Sequence, residues 1–256
     1  FNNTALGRNS LYYNTTGEEN TSSGNESLQA NTTGDSNTAY GSDALRSNTT
    51  GSESTAVGYQ AGLSNTTGRI TALGRHAVKN STTAFEVTGI GYRALRDNTT
   101  GQYNTSVGGD ALMQNTTAIN NTAVGYQAGY SNTTGFENTF VGRGAANANT
   151  TGQHNAVFGD YAYGAGTTGN YNTAIGKNAL RFNTTASSNT GVGREAGYAI
   201  TTGIENVVVG SNALRFSTTG SYNTVIGKQA HFGGNGSHNT CIGRTAGLVL
   251  SGTSSS

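Results

Sequence analysis

Small and aliphatic residues alternate with polar ones along this chain at one fixed spacing. Aligned on the glycine that follows each Thr-x-Val-like triplet, the sequence gives Gly7, Gly24, Gly41, Gly58, Gly74, Gly91, Gly108, Gly125, Gly142, Gly159, Gly176, Gly193, Gly210, Gly227 and Gly243, a period of 17 residues that falls one short at two steps. One repeat reads N-T-A-V-G-x-x-A-L-x-x-N-T-T-G-x-x, numbered here from position one at the Asn to position seventeen. A short fixed period of this kind is the mark of a solenoid, in which each repeat is one coil resting on the last. The octapeptide TAVGYQAG, found at 55–62 and again at 122–129, is one segment read four coils apart.

Within a repeat, a short alternation followed by glycine predicts a strand and then a turn. Position four is aliphatic in most repeats, so the pattern predicts that positions two and four face inward and position three outward. Alanine recurs at position eight, as expected at a close-packed corner. At Leu45, Leu95, Leu180 and Leu214 position nine is leucine and position ten arginine; where nine is glycine (Gly62, Gly129, Gly197, Gly247) position ten is Leu63, Tyr130, Tyr198 or Leu248. This predicts a corner filler that moves by one position. The Thr-Thr pair at thirteen and fourteen predicts a second strand, one threonine inward and one outward. The fold class predicted is all-β, a parallel β-solenoid of about fifteen 17-residue, two-strand coils over residues 1–250, with a flexible Ser-rich tail at 251–256.

Position three carries no charged or amide residue in any repeat. It includes Ala56, Ala123, Phe140, Val157, Ala174, Val208, Val225 and Cys241. An outward strand face that avoids charge throughout calls for a cover, and a sister copy of the chain is the cover expected.

Composition narrows the classes of function. Glycine supplies 39 residues, proline none, hydrophobic residues 33% and charged residues 11%, with a net charge of +1. Near-neutrality leaves no electrostatic footprint for nucleic acid. No apolar run has the length of a membrane helix, so this segment is not expected to insert into a membrane directly. A single cysteine allows neither an intrachain disulfide nor a cysteine zinc site. The G-x-G-x-x-G match at 164–169 is only positions ten to fifteen of one repeat with no helix signal after it, so no cofactor is expected there. His76, His154, His231 and His238 occupy unlike positions, which argues against a stacked metal set. No catalytic, cofactor-binding or metal-ligating residue is therefore predicted, and the chain is not expected to be an enzyme.

Two surface rows remain as candidates. Position six is basic at Arg143, Lys177, Arg194, Lys228 and Arg244, interrupted by Asp160, which suggests a ridge facing an acidic glycan. The N-x-T sequons at Asn14, Asn48, Asn98, Asn132 and Asn183 are candidate glycan acceptors. A hydrogen-bonded ladder of stacked asparagines is the physical alternative, and the favoured one.

The stretches NTAVG, NTAIG and NTVIG, each followed two residues later by alanine, resemble the head-domain repeats of trimeric autotransporter adhesins, whose pattern runs S-V-A-I-G-x-x-A. Similar repeats occur in phage tail fibres. The resemblance implies a left-handed β-roll wound as a homotrimer. It also implies a non-enzymatic, extracellular or cell-surface attachment segment that stacks end to end in a longer fibre and meets a host-surface glycan or matrix protein. The period here is longer than that family's, and the NTTG segment is foreign to its consensus. The alternative function is ice binding through ranked threonines, since the N-x-V-x-G style is also similar to ryegrass-type antifreeze proteins.

Overall fold

The computed structural model describes residues 2–231 and 234–247, so the 251–256 tail, Leu248 and the Phe232-Gly233 step lie outside the described residues. The chain is all-β and falls into two compact units, Phe1–Phe136 and Glu137–Ser256. The first unit holds β1 (Thr4–Leu6), β2 (Thr21–Ser23), β3 (Thr38–Tyr40), β4 (Thr55–Val57), β5 (Ile70–Leu73), β6 (Val87–Ile90), β7 (Thr105–Val107) and β8 (Thr122–Val124). The second holds β9 (Thr139–Val141), β10 (Ala156–Phe158), β11 (Thr173–Ile175), β12 (Thr190–Val192), β13 (Val207–Val209), β14 (Thr224–Ile226) and β15 (Thr240–Ile242). Within each unit every strand pairs in parallel with the next, and equivalent repeat positions are partners: Thr105 with Thr122, Ser106 with Ala123, Val107 with Val124. This is a parallel β-solenoid.

Each coil carries one strand, not two. The Thr-Thr pair forms a bend in which both residues lie at least partly in solvent, so the expected inward threonine does not exist. The reason is hydrogen bonding. The Thr32 carbonyl accepts from the backbone N–H of Thr15, Thr16 and Gly17 at 2.9, 3.0 and 3.2 Å, and from the Thr15 Oγ1 at 2.8 Å. Three consecutive N–H groups can converge on one oxygen only if the chain curls, and an extended strand would aim them alternately.

The strand is also turned over relative to expectation. Ala56, Ala123, Phe140, Val157, Ala174, Val208 and Val225 are each 0% exposed, and Cys241 is half-buried. Position three lines the inside of the coil, and the interface expected there is ruled out. Positions two and four point out. What decides the matter is the other occupants of the interior: the asparagines of positions one and twelve, the alanine of eight and the leucine of nine are buried too. A lumen this crowded has room on the strand for small residues at most coils, so alternation from the inward Asn of position one places three inside and two and four outside.

Two asparagine ladders run through that interior. At position one, the Asn37 backbone N–H donates to Asn20 Oδ1 at 2.9 Å while Asn37 Nδ2 reaches the Gly51 carbonyl at 2.8 Å. At position twelve, Asn48 Nδ2 donates to Asn31 Oδ1 at 2.9 Å and to the same Gly51 carbonyl at 2.9 Å. Each amide thus joins its own coil to the previous one. A typical net gain is about 1 kcal/mol per hydrogen bond, and a buried partner left unmatched costs about 1–3 kcal/mol.

The glycine at position five has a geometric cause. Gly91 sits at φ 129°, and a Cβ on it would lie 2.6 Å from the Gly108 carbonyl oxygen of the next coil. No side chain fits there.

Position nine adopts left-handed backbone even where it is bulky, as at Leu45 (φ 49°), Val78 (φ 50°) and Leu180 (φ 47°). Strain of about 1 kcal/mol or more per such residue is tolerated because the geometry throws the side chain into the core. Where position nine is glycine, position ten does not supply the filler: Leu63, Tyr130 and Tyr198 are only half-buried. Beside Gly62 and Gly197 an Asn position turns apolar instead, whereas the coil of Gly129 keeps both asparagines, Asn121 and Asn132. A Cβ on Gly62 would meet Ile70 Cδ1 at 2.7 Å, and one on Gly197 would meet Ile200 Cδ1 at 2.9 Å.

Candidate functional site

The outward strand face is built from positions two and four. In the first unit, position two is threonine in all eight strands, and at position four Val57, Leu73, Ile90 and Val124 are 37–38% exposed. In the second unit Phe158 and Ile175 are each 41% exposed and Ile226 38%, beside Thr173, Thr190 and Thr224. Neither outward position holds a charged or amide residue in any of the fifteen strands. Parallel register puts like side chains one strand spacing apart, about 4.8 Å. The face is therefore a set of rows, threonine at position two except at Ala156 and Val207, and branched aliphatic at position four except at Ser23, Tyr40 and Phe158.

Beyond the glycine that ends each strand lies position six. Its basic row is present in the second unit, but it is partly neutralised. Arg143 Nε donates to Asp160 Oδ1 at 2.8 Å, and this hydrogen bond holds the Asp160 carboxyl below the usual range. The Arg194 guanidinium lies 3.7 Å from Glu195, which is also paired with Arg215 at 2.8 Å. Lys177, Lys228 and Arg244 are exposed.

On the other flank, before the strand, acids collect at positions sixteen and seventeen. Glu18 N–H donates to Asp35 Oδ1 at 2.8 Å, and Ser36 donates to Glu19 at 3.2 Å. The coil of β4 lacks position seventeen, and there Arg69 pairs with Glu53 at 2.6 Å and with Glu86. The missing residue leaves an open recess of about 300 Å³ lined by this triad with Thr71 and Thr88. Arg69 contacts both carboxylates, so each acid shares one cation and the triad keeps one negative charge in excess.

Among the described residues no three His, Cys, Asp or Glu are grouped to hold a metal ion, and no helix is long and apolar enough to cross a membrane. His154 stacks on Tyr171 at 4.8 Å, His238 stacks on Tyr222 at 4.9 Å, and His231 Nδ1 lies 3.7 Å from Cys241 Sγ. The G-x-G-x-x-G stretch is explained by Tyr163. This residue takes the place of leucine at position nine, and its hydroxyl donates to the Gly169 carbonyl at 3.1 Å, as an asparagine amide does in other coils. Gly166 replaces that asparagine because a Cβ there would collide with the Tyr163 ring.

The sequon asparagines are interior. Asn48, Asn98, Asn132 and Asn183 are 0% exposed, so a glycan on any of them is incompatible with this fold. Asn14 is half-buried, with Nδ2 on the Gly17 carbonyl at 2.9 Å and Oδ1 accepting from Asn31 at 2.7 Å.

The sequence reading passed over a row of tyrosines at position six of the first unit. Tyr59, Tyr92 and Tyr126 are 45%, 44% and 54% exposed and fall in alternate coils. Their recurrence at one position was the signal available.

Comparison with protein-family models, with curated proteins and with solved structures finds no match.

Proposed function

We propose that the chain is a non-enzymatic structural segment of an extracellular or cell-surface attachment fibre, in which copies of the chain pack against one another through positions two and four. One observation carries this reading: the outward strand face has neither charge nor amide at any strand. A monomer that keeps such a face in water normally interrupts it with lysine or another charge to prevent association. Removing apolar surface from water contributes about 25 cal/mol per Å², and the mostly aliphatic row at position four lets that gain recur along the rows. The resemblance to trimeric adhesin heads supports three copies about one axis. Light scattering tests the reading. Wild-type protein should show the mass of three chains, and Val57→Lys with Val124→Lys should lower that mass while the circular dichroism stays unchanged. A wild-type mass of one 26.2 kDa chain at every concentration would contradict it.

A second reading, ice binding, is favoured by the unbroken row of threonines at position two of the first unit. A freezing-point gap measured on a single-chain species, and reduced by Thr88→Lys, would replace the first reading with this one.

A further inference from the structure

We propose that the tyrosine row at position six of the first unit is a docking platform for an extended β-1,4-linked polysaccharide. The inference rests on the reading of the chain as an attachment segment and names a ligand class for it.

Tyr59, Tyr92 and Tyr126 belong to the coils of β4, β6 and β8. Two strand spacings, about 10 Å, separate successive tyrosine positions along the sheet. That distance is close to the repeating disaccharide of an extended β-1,4-linked chain, so every second sugar ring meets a tyrosine. The intervening positions are suited to this. Gly109 stands between Tyr92 and Tyr126, and the nearest atom to a Cβ built on it is Tyr126 Cδ2 at 3.5 Å, so the Tyr126 ring lies against the glycine, which puts no side chain of its own between the two tyrosines. Arg75 stands between Tyr59 and Tyr92, its guanidinium carbon 6.0 and 5.8 Å from the two ring centroids. The cation braces both rings and leaves N–H groups to reach sugar hydroxyls.

Polar groups line the row where a pyranose would present its edges. Arg93 lies over the Tyr92 ring at 4.6 Å and is locked by two hydrogen bonds to Asp110, at 2.7 and 2.9 Å. His76 sits beside Tyr59, with ring centroids 5.5 Å apart. Burial first, and then the charges of Lys79, Arg75, Arg96 and Arg93, hold His76 below its usual pKa. Its neutral ring offers one donor and one acceptor to hydroxyls. Half-exposed aromatic rings for the apolar face of a sugar, with directional donors at its rim, are the two elements of neutral carbohydrate recognition.

The test is calorimetric titration of the whole chain with cellohexaose, chitohexaose and, as a curved α-linked control, maltohexaose. Saturable binding of cellohexaose or chitohexaose, at least tenfold tighter than maltohexaose, is expected, and whichever of the two binds identifies the sugar. Tyr92→Ala should weaken binding at least tenfold, the triple change Tyr59→Ala, Tyr92→Ala, Tyr126→Ala should abolish it, and the corresponding Phe variants should retain it. Failure of folded wild-type protein to bind either extended oligosaccharide, or undiminished binding by the folded triple Ala variant, overturns the proposal. If sugar binding is absent while Val57→Lys with Val124→Lys still lowers the mass, the platform fails and the attachment reading stands.

Discussion

Tyr163 shows how tightly a single position is constrained. It fills the leucine site, its hydroxyl replaces the missing amide, and Asn172 Nδ2 donates to it at 3.2 Å. Burial pushes its pKa well above the ordinary tyrosine value. In the unfolded chain the phenol titrates near 10. Below that pH both states keep the proton and the stabilisation is complete; above it the unfolded chain releases the proton while the native chain holds it, so stability falls as pH rises. Tyr163→Phe should cost about 1 kcal/mol at neutral pH, since Gly169 O keeps its bond from Asn155 at 2.9 Å. The variant should also lose stability less steeply than wild type between pH 9 and 11, which urea unfolding at the two pH values measures. None of this was legible in G-A-G-T-T-G as letters. The stretch matches the dinucleotide-binding pattern G-x-G-x-x-G because glycine serves for clearance in both settings, and only the ring beside Gly166 tells which.

At the scale of the coil, the period, the strand ending in glycine and the alanine corner were all legible, because each is imposed at every repeat. The direction of the strand was not. A rule that puts the most apolar position inside selects Ile175 over Ala174, yet the interior of that coil already holds two amides (Asn172, Asn183), an alanine (Ala179) and a leucine (Leu180), and volume overrides hydrophobicity. The same accounting explains why apolar Ile200 replaces asparagine in the coil where Gly197 replaces leucine. Ile200→Asn should destabilise by about 2–4 kcal/mol through the lost filler and a poorly matched buried amide. Gly197→Leu alone should cost about 1–3 kcal/mol by overpacking against Ile200 and Leu180. The two together restore the consensus coil, so chemical denaturation should give a coupling of at least about 1 kcal/mol in the favourable direction. Simple additivity would show that the two sites do not share one space.

At the scale of the whole molecule, near-neutral charge and the missing metal and cofactor signatures pointed away from chemistry and toward a surface, but the surface was first placed on the wrong side of the strand. The outward face still calls for a cover, because positions two and four are as free of charge as position three. The central claim is thus the assignment of inside and outside, with the outside covered by copies. Thiol labelling tests it most directly, using Ala123→Cys and Val124→Cys in a Cys241→Ser background; cysteine already occupies position three at Cys241. The account predicts that Cys at 123 stays unreactive in folded protein at every concentration, while Cys at 124 reacts in dilute solution and becomes protected as concentration rises. Equal, rapid labelling of both in folded protein, or labelling at 123 alone, would contradict it.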